Sequence, residues 1–116
     1  MRYTNVYIDS FGYELAPLVV TSADLEERLT ALYERLHFKP GQLEALTGIH
    51  ERRYWEDGYK NCDGATRAGQ KALDASGIDP GEIGMLVYGG VCRDNLEPAT
   101  ACAVAHGLGL SGETLG

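Results

Sequence analysis

No stretch of the 116-residue sequence approaches the roughly 18 consecutive apolar residues of a membrane-spanning helix, so no span is expected. Positive charge is also scarce. Ten lysines and arginines stand against 17 aspartates and glutamates, a net charge of −7, with the basic residues scattered among the acids. A nucleic-acid surface needs a concentrated basic face, so that class of partner is excluded. Acidity of this size speaks to solubility. The cysteines are few and odd in number: Cys62, Cys92 and Cys102 show no pairing pattern. That excludes a disulfide framework and fits a reducing compartment. Zinc needs Cys or His at short spacings, and His37, His50 and His106 are isolated from one another, so no metal site is expected. The opening MRYTNVYIDS has no apolar core followed by a cleavage site, so no secretory leader is expected and the cytoplasm is the expected location.

What is present suits one small domain, with 44% hydrophobic residues. Residues 5–12, rich in β-branched and aromatic side chains and closed by Gly12, read as a strand, and Pro17 prevents its continuation. A hydroxyl and an acid in Thr21-Ser22-Ala23-Asp24 mark a helix start. Leu25, Leu29, Leu32 and Leu36 then form one apolar stripe, which predicts a helix to about His37. Pro40-Gly41 introduces a short helical turn from Gln42 to Leu46, and Ile49 to Trp55 reads as an irregular extended segment.

A second helix follows Asn61 or Asp63, with Ala65, Ala68, Ala72, Leu73 and Ala75 on a small-residue face suited to close packing. Gly77 is placed as its C-cap. Ile83 to Gly89 is a nearly continuous apolar run, suited to a strand buried on both faces of a parallel sheet. After a loop from Val91 to Leu96, Pro98 opens a last helix over about Ala99 to Leu108. No internal repeat is present. The order strand, helix, irregular segment, helix, buried strand, helix predicts an α/β fold with an incomplete, mainly parallel or mixed sheet flanked by helices. The last helix should feed another strand, and the pattern looks unfinished at Gly116.

Four features in this order carry a resemblance: the opening strand, Thr47-Gly48-Ile49-His50-Glu51-Arg52-Arg53, the helix ending Ala75-Ser76-Gly77-Ile78, and Pro98-Ala99-Thr100-Ala101-Cys102. Together they resemble the N-terminal part of the ketoacyl-ACP synthase III branch of the thiolase superfamily over nearly the whole chain. The resemblance is closest to the olefin-pathway members, which join two acyl-CoA molecules head to head by a Claisen condensation. It implies that residues 1–116 are the N-terminal part of a thiolase-like domain, ending before the strand and elbow that bear the catalytic cysteine. It also implies a dimer, acyl-CoA as substrate and no permanently bound cofactor. The family's nucleophilic cysteine and its histidine and asparagine would come from a second polypeptide or from a C-terminal remainder.

The discriminating residue is Glu97, in Arg93-Asp94-Asn95-Leu96-Glu97-Pro98. In the olefin-pathway enzymes a glutamate here reaches into the partner's site. The resemblance therefore implies that Glu97 is the base for the α-proton, acting across the dimer interface. A carboxylate beside an apolar acyl channel is desolvated, which raises its pKa toward the working pH. On the residues alone Glu97 also reads as a first-turn carboxylate that caps the following helix.

Arg52 and Arg53 are candidates for a CoA phosphate, since guanidinium matches phosphate geometry. They equally suit ion pairs with Glu51, Glu56 or Asp57. Gln42 and Leu46 stand where bacterial type III synthases carry a Trp and an Arg that help hold CoA. Tyr54 and Trp55 read as packing residues. Cys92 and Cys102 read as small buried thiols, not nucleophiles, with no adjacent base. His37 and His106 read as favourable charges near helix C-termini, and His50 as an ordinary substitution. Two alternatives share the fold: a ketoacyl-ACP synthase III reaction in which malonyl decarboxylation supplies the carbanion, and a non-catalytic thiolase-like subunit or fragment.

Overall fold

The computed structural model describes residues 3–116, which divide into two units: residues 3–14 with Tyr59–Gly116, and Leu15–Gly58. In the second unit, strand β1 (Leu18–Thr21) pairs antiparallel with β2 (Glu51–Tyr54), in a register from Leu18 opposite Tyr54 to Thr21 opposite Glu51. The segment read as irregular thus supplies a strand.

Helix α1 (Ser22–Arg28) starts where the hydroxyl and acid predict. Thr21 Oγ1 accepts from the Asp24 amide at 3.0 Å, and the Asp24 carboxylate accepts from the Thr21 amide at 2.8 Å. This reciprocal cap satisfies two groups that the helix leaves unpaired, and hydrogen bonds from Thr21 hold the Asp24 carboxyl below its usual range. Thr21→Ala should therefore cost about 1 kcal/mol, read as a lower urea midpoint.

The single long helix expected to His37 is instead two. Leu29 breaks the pattern at φ −101°, and α2 (Thr30–Leu36) begins after it. The Thr30 hydroxyl donates back to the Glu27 carbonyl at 2.6 Å, the kind of local bond that competes with a helical ladder. The stripe is not buried within this chain either, since Leu29, Leu32 and Leu36 are exposed.

Beside Ser22, α1 buries a carboxylate. Glu26 accepts from the Gly41 amide at 2.6 Å, the Leu43 amide at 2.7 Å and the Tyr33 hydroxyl at 3.0 Å. It thereby caps α3 (Gln42–Thr47), whose own N-cap, Gly41, has no side chain to do so. These donors, the Gly41 amide foremost, hold the Glu26 carboxyl below its ordinary range, against the opposing effect of burial. A carboxyl with a depressed folded-state pKa stabilises above its unfolded value, and that stability is lost as pH falls through the folded one. Acid titration should therefore release α3 at pH values below the ordinary glutamate range. Amide exchange at Gly41 and Leu43 would report it, and Glu26→Gln should abolish the transition.

In the first unit, α4 (Asn61–Ser76) is the organising element. Gly77, at φ 69°, ends it as the sequence predicts. Helix α5 (Thr100–Gly107) lies against α4 through small residues: Gly69 faces the Leu108 methyls and Gly107 faces Thr66, each so close that an added Cβ would fall within 2.9 Å. Ala101, Val104 and Leu108 are buried along α5 and its C-cap.

The two strands predicted here do not form as read. Residues 5–12 form no ladder, with Val6, Tyr7, Ile8 and Phe11 each more than 70% exposed. The segment is fixed to α4 by Ser10 Oγ donating to the Ala72 carbonyl at 2.8 Å and by the Lys71–Glu14 ion pair. Ile83–Gly89 makes one parallel bridge, Met85 to Leu115, and Val87 is 82% exposed, not buried. A strand is completed by its neighbours' hydrogen bonds, and the described residues supply none for these two segments beyond that bridge. The α/β order holds, and among the described residues the incomplete sheet comprises one two-stranded antiparallel ladder and a separate parallel bridge.

Candidate active site around Glu97

The loop that carries Glu97 is tied to α4 by Asp94 and runs on into α5, which packs on α4. At its near end Asp94 accepts from the backbone amides of Asn61 and Cys62, each at 2.7 Å. These are the first two residues of α4, whose N-cap, Lys60, has a side chain that cannot accept a hydrogen bond. The carboxylate thus caps a helix from 32 residues further along the chain. The Cys62 amide, with that of Asn61, holds the Asp94 carboxyl below the usual aspartate range. At the far end the chain enters α5, where Thr100 and Ala101 are buried and which meets α4 through Gly107 and Leu108.

Between these anchors Glu97 is exposed and lines a cleft of about 250 Å³ with Tyr88, Arg93, Leu96 and Thr100. Among the described residues its carboxylate has no hydrogen bond and no ion pair, with Arg93 or any other group. It does not cap α5, whose N-cap is Ala99 without a side-chain bond. The reading of Glu97 as a helix cap is therefore not realised. Nor is Glu97 desolvated within this chain, as the acyl-channel picture expects. The Thr100 hydroxyl, in the same cleft, is buried without a hydrogen-bond partner among the described residues. Such groups are normally satisfied, so the cleft has an unmet polar contact.

Arg52 and Arg53 lie on β2, in the other unit. The Arg52 guanidinium donates to Ser22 Oγ at 2.9 Å, and Ser22 is 1% exposed and donates in turn to the Ile49 carbonyl. Arg53 pairs with Glu51 at 3.2 Å at the surface. Tyr54 is exposed, against the expectation of packing, and Trp55 is half-buried.

The cysteines correct one expectation: Cys92 and Cys102 are exposed, not buried. Asp94 beside Cys62, with burial, pushes that thiol up and so away from the thiolate a nucleophile needs. His50 meets Glu44 at 3.1 Å on the surface, His37 closes α2 at φ 56°, and His106 sits in the last turn of α5. Among the described residues, no group of three His, Cys, Asp or Glu side chains is placed to hold a metal ion. No helix there is long and apolar enough to cross a membrane. Asp94 and Glu26, the two carboxylates that cap distant helices, escaped the sequence reading. An acid in a polar loop carries no mark of the helix it will meet.

No protein-family model matches the chain. An acyl-CoA:acyl-CoA alkyltransferase of Shewanella oneidensis is 54% identical over 98% of this chain and 33% of its own length. The crystal structure of cerulenin-bound OleA from Xanthomonas campestris superposes with a TM-score of 0.87 at 39% identity, covering 97% of this chain and 33% of that one. The Xanthomonas protein has also been solved with a glutamate changed to aspartate or glutamine, and as a cysteine-to-serine form with lauric acid and lauroyl-CoA bound. A β-ketoacyl-[acyl-carrier-protein] synthase III of Koribacter versatilis is 34% identical over 89% of this chain and 29% of its own length. The chain spans about a third of the length of the curated relatives it matches. These matches agree with the family resemblance carried by the sequence motifs, and the fold is thiolase-like over the part it spans.

Proposed function

We propose that this chain supplies the α-proton base of a non-decarboxylative Claisen condensation between two acyl-CoA molecules. The observation that carries the reading is Glu97, a carboxylate on a doubly anchored loop, facing a cleft and used for nothing structural. In the proposed reaction a cysteine outside this chain takes the acyl group of the first acyl-CoA and releases CoA. Glu97 removes the α-proton of the second acyl-CoA. The resulting carbanion attacks the cysteine-bound acyl carbonyl, the carbon–sulfur bond to cysteine breaks, and a β-ketoacyl-CoA leaves. Proton transfer and acyl transfer suffice for this balance, and no permanent cofactor is needed.

The cysteine, with a histidine and asparagine for the oxyanion, comes from a second polypeptide or from the rest of the same protein. The unmet Thr100 hydroxyl and the open carboxylate of Glu97 support a cleft finished by another segment, and we assign Glu97 to the neighbouring protomer's site in a dimer. For the CoA phosphate Arg53 is the better of the two candidates, because its exposed pair with Glu51 is weak and open to exchange. Arg52 is committed to Ser22. The exposed thiols of Cys92 and Cys102 support a reducing, cytoplasmic setting.

The test is to supply the assembled protein with acyl-CoA alone and follow released CoA together with β-ketoacyl-CoA by mass spectrometry. Product in the absence of any malonyl thioester is the expected result. The likeness to a synthase III favours one other reading, and carbon dioxide release from malonyl-ACP with no product from acyl-CoA alone would establish it instead. Absence of both products would leave the non-catalytic role.

A further inference from the structure

We propose that Asp94 is a positioning residue that sets where the Glu97 carboxylate stands by clamping its loop to the N-terminus of α4. The inference rests on the reading of Glu97 as the base. Among the described residues, the loop from Val91 to Pro98 has few other fixings. The Tyr88 hydroxyl reaches the Cys92 carbonyl only at 3.4 Å, and no hydrogen bond is formed by Arg93, Asn95, Leu96 or Glu97. The two 2.7 Å bonds that the Asp94 carboxylate accepts are short and carry ionic character, which makes them the strongest contacts the loop has.

Their direction matters as well as their number. Both amides point along the axis of α4, where the helix dipole adds to the attraction for a carboxylate. Only Asn95 and Leu96 separate Asp94 from Glu97, and Pro98 fixes its own φ immediately afterwards. Past Pro98 and Ala99 the chain enters α5, which is locked to the same α4 by the Gly69–Leu108 and Gly107–Thr66 contacts. One helix therefore holds both ends of a short loop, and the side chain between them inherits its place from that helix. Lys60 leaves the cap of α4 vacant, so a single carboxylate closes the helix and docks the loop together.

The experiment uses the complete assembly that carries the cysteine. Two rates are measured on the same preparations: exchange of the acyl-CoA α-proton with deuterium oxide, which reads the base, and acylation of the cysteine by the first acyl-CoA, which does not need it. Asp94→Ala should slow α-proton exchange by about 100-fold, the penalty for a misplaced catalytic group, with acylation nearly unchanged. Asp94→Asn keeps the side-chain length and one acceptor, and should slow exchange by roughly fivefold, the worth of one hydrogen bond. If Asp94→Ala does not fold, Asp94→Asn decides alone. Wild-type exchange in the variant that folds, or a parallel fall in exchange and acylation, would overturn the inference. Glu97→Gln separates the two levels. If it leaves exchange intact, the base reading fails and takes this inference with it. If it abolishes exchange while the Asp94 variants retain it, the positioning role alone is lost.

Discussion

Replacing Glu97 with glutamine in the assembled protein is expected to lower β-ketoacyl-CoA formation by about 10²- to 10⁴-fold, the usual worth of a general base. The substitution keeps the shape of the side chain and removes its ability to take a proton. Because Glu97 makes no hydrogen bond or ion pair among the described residues and is exposed, the change breaks nothing that holds the fold, and stability should move by no more than about 0.5 kcal/mol. A separation of this kind, activity lost and stability kept, is the signature of a group placed for chemistry. Release of CoA in the first acyl transfer should persist, since that step runs on the cysteine. Glu97→Asp keeps the carboxylate but withdraws it by one methylene, and should fall between the wild type and Glu97→Gln. Undiminished product from Glu97→Gln would remove the residue from the mechanism and place the base of the condensation on another group.

The features legible in the sequence were those whose causes lie within a few residues. The Thr21–Asp24 cap and the glycine stop at Gly77 are local and appear where the pattern places them. Of the expected small-residue face of α4, Ala68 and Ala72 meet Gly12, Ala75 is exposed, and α5 is met by Gly69 and Thr66 instead. Strand character was legible only as propensity. Residues 5–12 and Ile83–Gly89 have the composition of strands, yet a ladder needs neighbours, and the composition of a segment does not say whether they are present. The break at Leu29 was hidden because apolar spacing continues through it, while the Thr30 hydroxyl that disturbs the ladder is not part of the stripe.

The site divides along the same line. Glu97 was singled out through the family motif around Pro98, whereas spacing alone favoured a helix cap that the structure does not contain. Asp94 was invisible for a different reason. Its partners lie 32 and 33 positions away, and nothing in Lys60-Asn61-Cys62 announces a helix start that needs a cap from elsewhere. The burial expected for Cys92 and Cys102 failed because the frequency with which a residue type is buried says little about a given face. Both lie at the surface of this chain.

Gly12 should be the least replaceable glycine in the first unit. Its backbone lies against α4 so closely that an added Cβ would stand 2.0 Å from the Ala68 carbonyl oxygen and 2.6 Å from the Ala72 amide nitrogen. Both are atoms of a hydrogen-bonded helix and cannot swing aside as a side-chain tip can. Gly12 does not adopt a positive φ, so alanine fits the local backbone and the cost is steric alone. Gly12→Ala must therefore lift the segment off α4, which also breaks the Ser10–Ala72 hydrogen bond two residues away. We expect a loss of about 3 kcal/mol, at the upper end for overpacking. It should appear as a lower urea midpoint with faster amide exchange across residues 5–14. Gly69→Ala provides the graded comparison, because the atoms it meets belong to the Leu108 side chain and can turn away. Its cost should be smaller by at least half. Gly84→Ala meets nothing within 4 Å and should change stability by less than about 0.5 kcal/mol. If all three variants unfold together, the close approach at Gly12 is not what holds the segment. If Gly12→Ala alone collapses, α4 is the platform on which both the N-terminal segment and the Glu97 loop are built.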